Sequence, residues 1–124
     1  MKPDLEDFNR RWLKAWTDKD VPGLLGFYTA TTVYRDMQTA AGITGHDALG
    51  AYLTGLFGAT PPMTYKVDEI WATHSGYCGR WFCTIAPLGG PVSYLRGFDL
   101  VVLEGDRIAL NEVYVHPLEA LPGR

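Results

Sequence analysis

The sequence predicts an α+β fold: a curved antiparallel β-sheet wrapped around N-terminal helices, leaving a cone-shaped pocket between them. Two observations carry that expectation. In the first half, apolar residues recur at three- and four-residue intervals. From Thr64 onward the pattern changes to β-rich runs punctuated by turn residues. A third observation is composition, since 47% hydrophobic and 13% aromatic residues are ample for a core and an apolar pocket. At 124 residues the chain has the size of a single domain, 1–124. A chain of that size buries roughly two-thirds of its unfolded surface, so no disulfide or metal is needed to hold it.

The elements follow in order. Leu5, Phe8, Trp12, Ala15 and Trp16 define an amphipathic helix from about Asp4 to Asp18, with Asp4 as its cap. Lys19-Asp20 breaks it. Asp20 then caps a shorter helix that tolerates Pro22 in its first turn and buries Leu24, Leu25 and Phe27. The run Thr31-Thr32-Val33-Tyr34 reads as a strand ending at Asp36, followed by a loop of small residues to Gly42. A third helix spans about His46 to Phe57 and is closed by Gly58 and Pro61-Pro62. Four strands follow at about 65–74, 77–86, 92–103 and 107–116, separated by Ser75-Gly76, Leu88-Gly89-Gly90-Pro91 and Glu104-Gly105-Asp106.

Charge and cysteine usage exclude several classes. A net charge of −3 with scattered lysines and arginines argues against a nucleic-acid binder and against a membrane-surface patch. No leader and no bilayer-length apolar run is evident, so a cytoplasmic protein is expected. Cys78 and Cys83 lie five apart in a strand-like run, on opposite faces, which disfavours a disulfide. The three histidines show no paired spacing, so no metal is expected.

Two acids stand out. Asp36 ends a strand at the mouth of the expected cavity, where a carboxylate can act as a general base or simply cap a turn. Asp99 interrupts the apolar row Leu95, Gly97, Val101 and Leu103, so it is protonated, paired or facing a wet pocket. A two-residue turn at Gly105-Asp106 sets Asp99 opposite Glu112, with Tyr114 on the same face. Such a pair raises one pKa. The competing reading pairs these acids with Arg80 or Arg96 in salt bridges; Arg80 could equally clamp an anion. Trp71, Trp81 and Tyr94 read as core or dimer-face aromatics, and His74 and His116 as solvated strand ends.

The chain resembles the nuclear transport factor 2-like, or SnoaL-like, superfamily, which includes ketosteroid isomerase and polyketide cyclases. The residues that carry the likeness are Arg11 to Trp16, Lys19-Asp20, Gly23 to Tyr28, Thr32 to Asp36, Gly45 to Leu49, Gly97-Phe98-Asp99 and Gly105 to Ile108. The resemblance implies a cystatin-like roll with Asp36 as general base and Asp99 as a protonated acid that donates to a developing enolate. Trp12 stands where ketosteroid isomerase has a tyrosine, and an indole donates a hydrogen bond without being a phenolic acid. Tyr28, Tyr52 and Tyr114 are the candidate replacement hydroxyls. A comparison with limonene epoxide hydrolase matches Tyr34 and Arg80, but Asp36 replaces an Asn and Phe82 replaces the second acid.

The expectation is therefore a cofactor-independent enzyme of proton transfer, ketosteroid isomerase-like, acting on a hydrophobic carbonyl compound. A SnoaL-like cyclase using Asp36, Asp99 or Glu112, or a non-catalytic binding domain, are the alternatives. Trp12, Tyr28, Tyr34, Tyr52, Arg80, Glu112 and Tyr114 are expected around the pocket. The resemblance further implies a homodimer through the outer sheet face, with Tyr77 and Trp81 contributing.

Overall fold

In the computed structural model, which describes residues 4–122, helices α1 (Leu5–Thr17) and α2 (Val21–Leu25) precede strands β1 (Tyr28–Arg35) and β2 (Ile43–Thr44) and helix α3 (His46–Ala59). Strands β3 (Met63–Thr73), β4 (Gly76–Ile85), β5 (Ser93–Glu104) and β6 (Arg107–Leu118) complete the chain. Asp4 caps α1 by accepting the Asp7 N–H at 3.2 Å, and Phe8, Trp12, Leu13, Ala15 and Trp16 are buried along it. Lys19 breaks the helical path with a left-handed φ of 52°, and Asp20 restarts it by accepting the Gly23 N–H at 3.0 Å. The Lys19 ammonium donates to the carbonyls of Phe57, Thr60 and Pro61 at 3.2, 2.6 and 2.9 Å, which satisfies the open end of α3. That helix runs through Gly58. It stops only where Thr60, ahead of Pro61, turns extended at φ −114° and ψ 148°.

The six strands form one curved sheet in the order β2-β1-β6-β5-β4-β3, antiparallel throughout except where β1 joins β6 in parallel. Strand β2 was not legible in the sequence. The loop after Asp36 folds back so that Ile43 and Thr44 pair with Tyr34 and Val33. Rings from α1 (Phe8, Trp12, Trp16) meet Tyr28, Tyr34, Tyr77 and Trp81 on the inner sheet face to make the core.

The hairpin between β5 and β6 decides which side chains reach the inside. Its two-residue turn is as expected, with Glu104 opposite Arg107 and Gly105 at a left-handed φ of 63°. The next pairs are Leu103 with Ile108 and Val102 with Leu110, leaving Ala109 as an extra residue in a β-bulge. A slip of one residue sends every later side chain to the other face. Asp99 therefore sits opposite Val113, and Glu112 sits opposite Leu100. The expected Asp99–Glu112 pair does not form.

Three expected pocket residues lie on the outer face, Glu112 and Tyr114 because of the bulge in β6 and Arg80 because the even positions of β4 around it face outward. Glu112 accepts a hydrogen bond from Arg35 at 2.9 Å, and Tyr114 is 59% exposed. Arg80 donates to Asp68 at 2.7 Å and lies over the Trp71 ring. Arg96 approaches His116, so neither arginine is bonded to Asp99. Tyr77 and Trp81, expected at a dimer face, are instead buried in the core, because the odd positions of β4 face the helices.

Candidate functional site

The inner sheet face and helices α1 and α3 enclose a cavity of about 240 Å³. Leu13, Leu56, Ile85, Leu95, Val113 and Val115 supply aliphatic wall. Trp16, Tyr34, Tyr52, Tyr65 and Trp81 supply rings, and Asp36 and Asp99 supply the two carboxyls. Apolar lining with few convergent polar groups is the usual form of a small-molecule site.

Asp36 follows the last residue of β1 and does two things at once. Its Oδ1 accepts the backbone N–H of Gln38 at 2.9 Å and of Thr39 at 3.0 Å, plus the Thr39 hydroxyl at 3.0 Å. This is the local turn that Asp favours after a strand. Its Oδ2 faces the helices and accepts the phenols of Tyr34 at 3.0 Å and Tyr52 at 2.6 Å. Burial alone would raise this carboxyl. The bonds from Tyr52, Thr39, Tyr34 and Gln38 outweigh burial and hold it below its ordinary range, so it is ionised at neutral pH. Burial and the adjacent Asp36 push the Tyr34 and Tyr52 phenols upward, so both remain protonated donors.

Asp99 is held from behind by a directed chain. Trp12 Nε1 donates to the Tyr28 hydroxyl at 3.3 Å, and that hydroxyl donates to Asn111 Oδ1 at 3.0 Å. Asn111 Nδ2 then donates to Asp99 Oδ2 at 3.0 Å, while Trp81 Nε1 donates to Oδ1 at 3.0 Å. An indole N–H can only donate, and with the Asn111 amide turned Nδ2 toward Asp99 the bonds run from Trp12 to the carboxyl. Each Asp99 oxygen thus accepts one N–H from the protein, and a proton on the carboxyl has to point elsewhere. Burial pushes Asp99 up to about 7, against the downward pull of Asn111 and Trp81.

Of the expected pocket residues, Asp36, Asp99, Tyr34 and Tyr52 share the cavity. Trp12 and Tyr28 do not line it; they are buried behind it and reach Asp99 through Asn111. Sequence reasoning missed Asn111, which is 0% exposed. The signal was available: Asn111, Val113 and Val115 alternate with Glu112, Tyr114 and His116, marking the first set as the inner row. Among the described residues, no group of three or more His, Cys, Asp or Glu side chains is gathered for a metal ion. None of their helices is long and apolar enough to cross a membrane.

The SnoaL-like domain family matches residues 9–111. None of the curated proteins matches the chain. Among solved structures, a protein from Catenulispora acidiphila with a ketosteroid isomerase-like fold, in complex with trimethylamine, superposes with a TM-score of 0.77 at 16% identity. That match covers 92% of this chain and 86% of the other. An NTF2-like protein of unknown function from Burkholderia pseudomallei gives a TM-score of 0.79 at 15% identity, covering 92% of both chains. A Mycobacterium tuberculosis protein in complex with estradiol-17beta-hemisuccinate gives 0.71 at 16% identity, covering 89% of this chain and 92% of the other.

Proposed function

The chain belongs to the SnoaL-like family, and from that premise we propose that it is a cofactor-independent acid–base enzyme moving a proton next to a carbonyl in a hydrophobic small molecule. One observation carries this reading. Two carboxyls share one apolar cavity, and their surroundings drive their pKa values apart. Such a divergence assigns a base and an acid on a common site. Relatives of the same fold in complex with trimethylamine and with estradiol-17beta-hemisuccinate support a small-molecule ligand.

In this mechanism Asp36, as carboxylate, removes the proton on the carbon beside the carbonyl. Its Oδ2 is occupied by two phenols, but Tyr52 has a second acceptor, Gln38 Oε1, at 3.2 Å. Turning the Tyr52 hydroxyl onto Gln38 frees a lone pair for the incoming proton. Asp99, neutral below about pH 7, donates to the oxygen of the enolate as its charge develops. A preorganised donor in such a place is commonly worth about 3–4 kcal/mol of barrier. Asp36 then returns the proton to a different carbon, so the product is an isomer and no atoms are gained or lost. An aldol-type ring closure would use the same two carboxyls.

A second reading is favoured by the five hydrogen bonds on Asp36: a pocket that binds its ligand without turnover. Turnover of a small β,γ-unsaturated ketone by native protein and Asp36→Asn separates the two. The amide is accommodated, since the Tyr34 and Tyr52 hydroxyls can rotate to accept from it. Isomerisation by the native protein, lost in the variant with ligand binding retained, is the expected result. Equal rates in both proteins would remove Asp36 as base, and no rate in either would favour the binding reading. The proposal includes a homodimer paired through the outer sheet face, where Trp71, Phe98 and Tyr114 are 39, 40 and 59% exposed.

A further inference from the structure

The five rings of the cavity form a continuous arc. Neighbouring centroids are 5.8 Å apart for Tyr52 and Tyr34, 6.4 Å for Tyr34 and Trp16, 6.0 Å for Trp16 and Tyr65, and 4.9 Å for Tyr65 and Trp81. The arc begins at the phenols that hold Asp36 and ends at the indole that holds Asp99. Ring faces carry negative potential and attract cations. No lysine, arginine or histidine stands among the residues lining the cavity. Arg35, next in sequence to Asp36, pairs with Glu112 instead. Lys19, at the Thr60 edge, donates to carbonyl oxygens of Phe57, Thr60 and Pro61.

Among the described residues Asp36 has no ion pair. Its five donors are neutral N–H and O–H groups, which spread its charge without cancelling it. An uncompensated carboxylate beside apolar walls makes the cavity negative, and the low local dielectric strengthens that field. A ligand carboxylate or phosphate would meet this field with no cation among the lining residues, since the Lys19 ammonium lies behind Thr60 and spends its N–H groups on the oxygens of Phe57, Thr60 and Pro61.

We propose that the ligand of this cavity carries a cationic nitrogen on an apolar body, an organic ammonium group resting against Trp16 and Tyr65 midway along the arc. The inference rests on the cavity being the ligand site and deepens the proposed chemistry: the carbonyl compound is one that bears an ammonium group. The mid-arc position leaves Asp36 and Asp99 at their own ends, free for the proton and the enolate oxygen.

Binding of three isosteres of one shape tests it: choline, its neutral analogue 3,3-dimethylbutan-1-ol, and the anionic 3,3-dimethylbutanoate, each by calorimetric titration. Choline is expected to bind about tenfold or more tighter than the alcohol, the size of one modest charge interaction, and the carboxylate weakest. The choline-to-alcohol ratio should fall several-fold in Asp36→Asn and in Tyr65→Leu, both checked for folding by circular dichroism. Choline binding no better than the alcohol, or not at all, overturns the inference, as does a ratio unchanged in both variants. Isomerisation of a neutral ketone without cation preference would sink this inference alone. Cation preference without isomerisation would sink the proton-transfer chemistry alone.

Discussion

Raising the pH from 4 to 8 should weaken the fold, and the interior position of Asp99 sets the size of the effect. Burial raises this carboxyl from 3.8 to about 7. In the unfolded chain it ionises near the ordinary value, whereas in the folded protein it keeps its proton until pH 7 is approached. The folded state therefore binds the proton more tightly, and the stability this confers is fully present below about pH 4. It is lost as pH rises through 7. The interval is roughly three pH units, worth on the order of 4 kcal/mol at about 1.4 kcal/mol per unit. Asp36 acts in the opposite sense and in another window: its lowered pKa gives stability present above the ordinary carboxylate range and lost on acidification below it. Urea unfolding followed by fluorescence at half-unit steps of pH reads both limbs. Asp99→Leu isolates the first. That variant leaves the Trp81 and Asn111 N–H groups without their acceptor, costing about 1–3 kcal/mol each, so its absolute stability drops. Its slope between pH 4 and 7 should nevertheless flatten. A native stability that rises across that window, or an equal slope in native protein and Asp99→Leu, would refute the reasoning.

Gly97 makes room for the Trp81 indole, and a methyl group there would overlap Cζ2 and Cε2 of that ring. Gly97→Ala should cost about 1–3 kcal/mol by overpacking and break the Trp81–Asp99 bond; an unchanged melting temperature with an unchanged indole N–H resonance would contradict this. For the outer face, sedimentation equilibrium at micromolar concentration should show a dimer for native protein and a monomer for Phe98→Asp. Monomer alone in the native sample would remove the proposed pairing.

The fold was legible wherever pattern and turn chemistry are local. Asp4 and Asp20 stand at their helix starts because their side chains satisfy N–H groups three residues on. The inward row Leu95, Gly97, Asp99, Val101 and Leu103 follows from simple alternation along one strand. Glu112 and Tyr114 could not be placed by counting from the turn, because the bulge at Ala109 reverses parity and has no glycine to announce it. The alternation of Val113 and Val115 within β6 would have served better than the turn. Arg80 was attractive as an anion clamp only while Asp68, its actual partner on the adjoining strand, was unknown. Asp36 was visible as a strand-end acid. The phenols that converge on it come from β1 and α3, and no spacing in the sequence predicts that meeting.

The chain from Trp12 through Tyr28 and Asn111 to Asp99, closed on the other side by Trp81, contains two indoles, an amide and a phenol that burial holds in its protonated form, so none of them changes charge near neutrality. It can support a charge but cannot carry one away. Asp99 must exchange its proton through the cavity, and a molecule that fills the cavity closes that route. With the proposed ligand in place, the charge state that Asp99 holds at entry would persist while the cavity stays filled. The interior behaves as a latch, and occupancy turns the key.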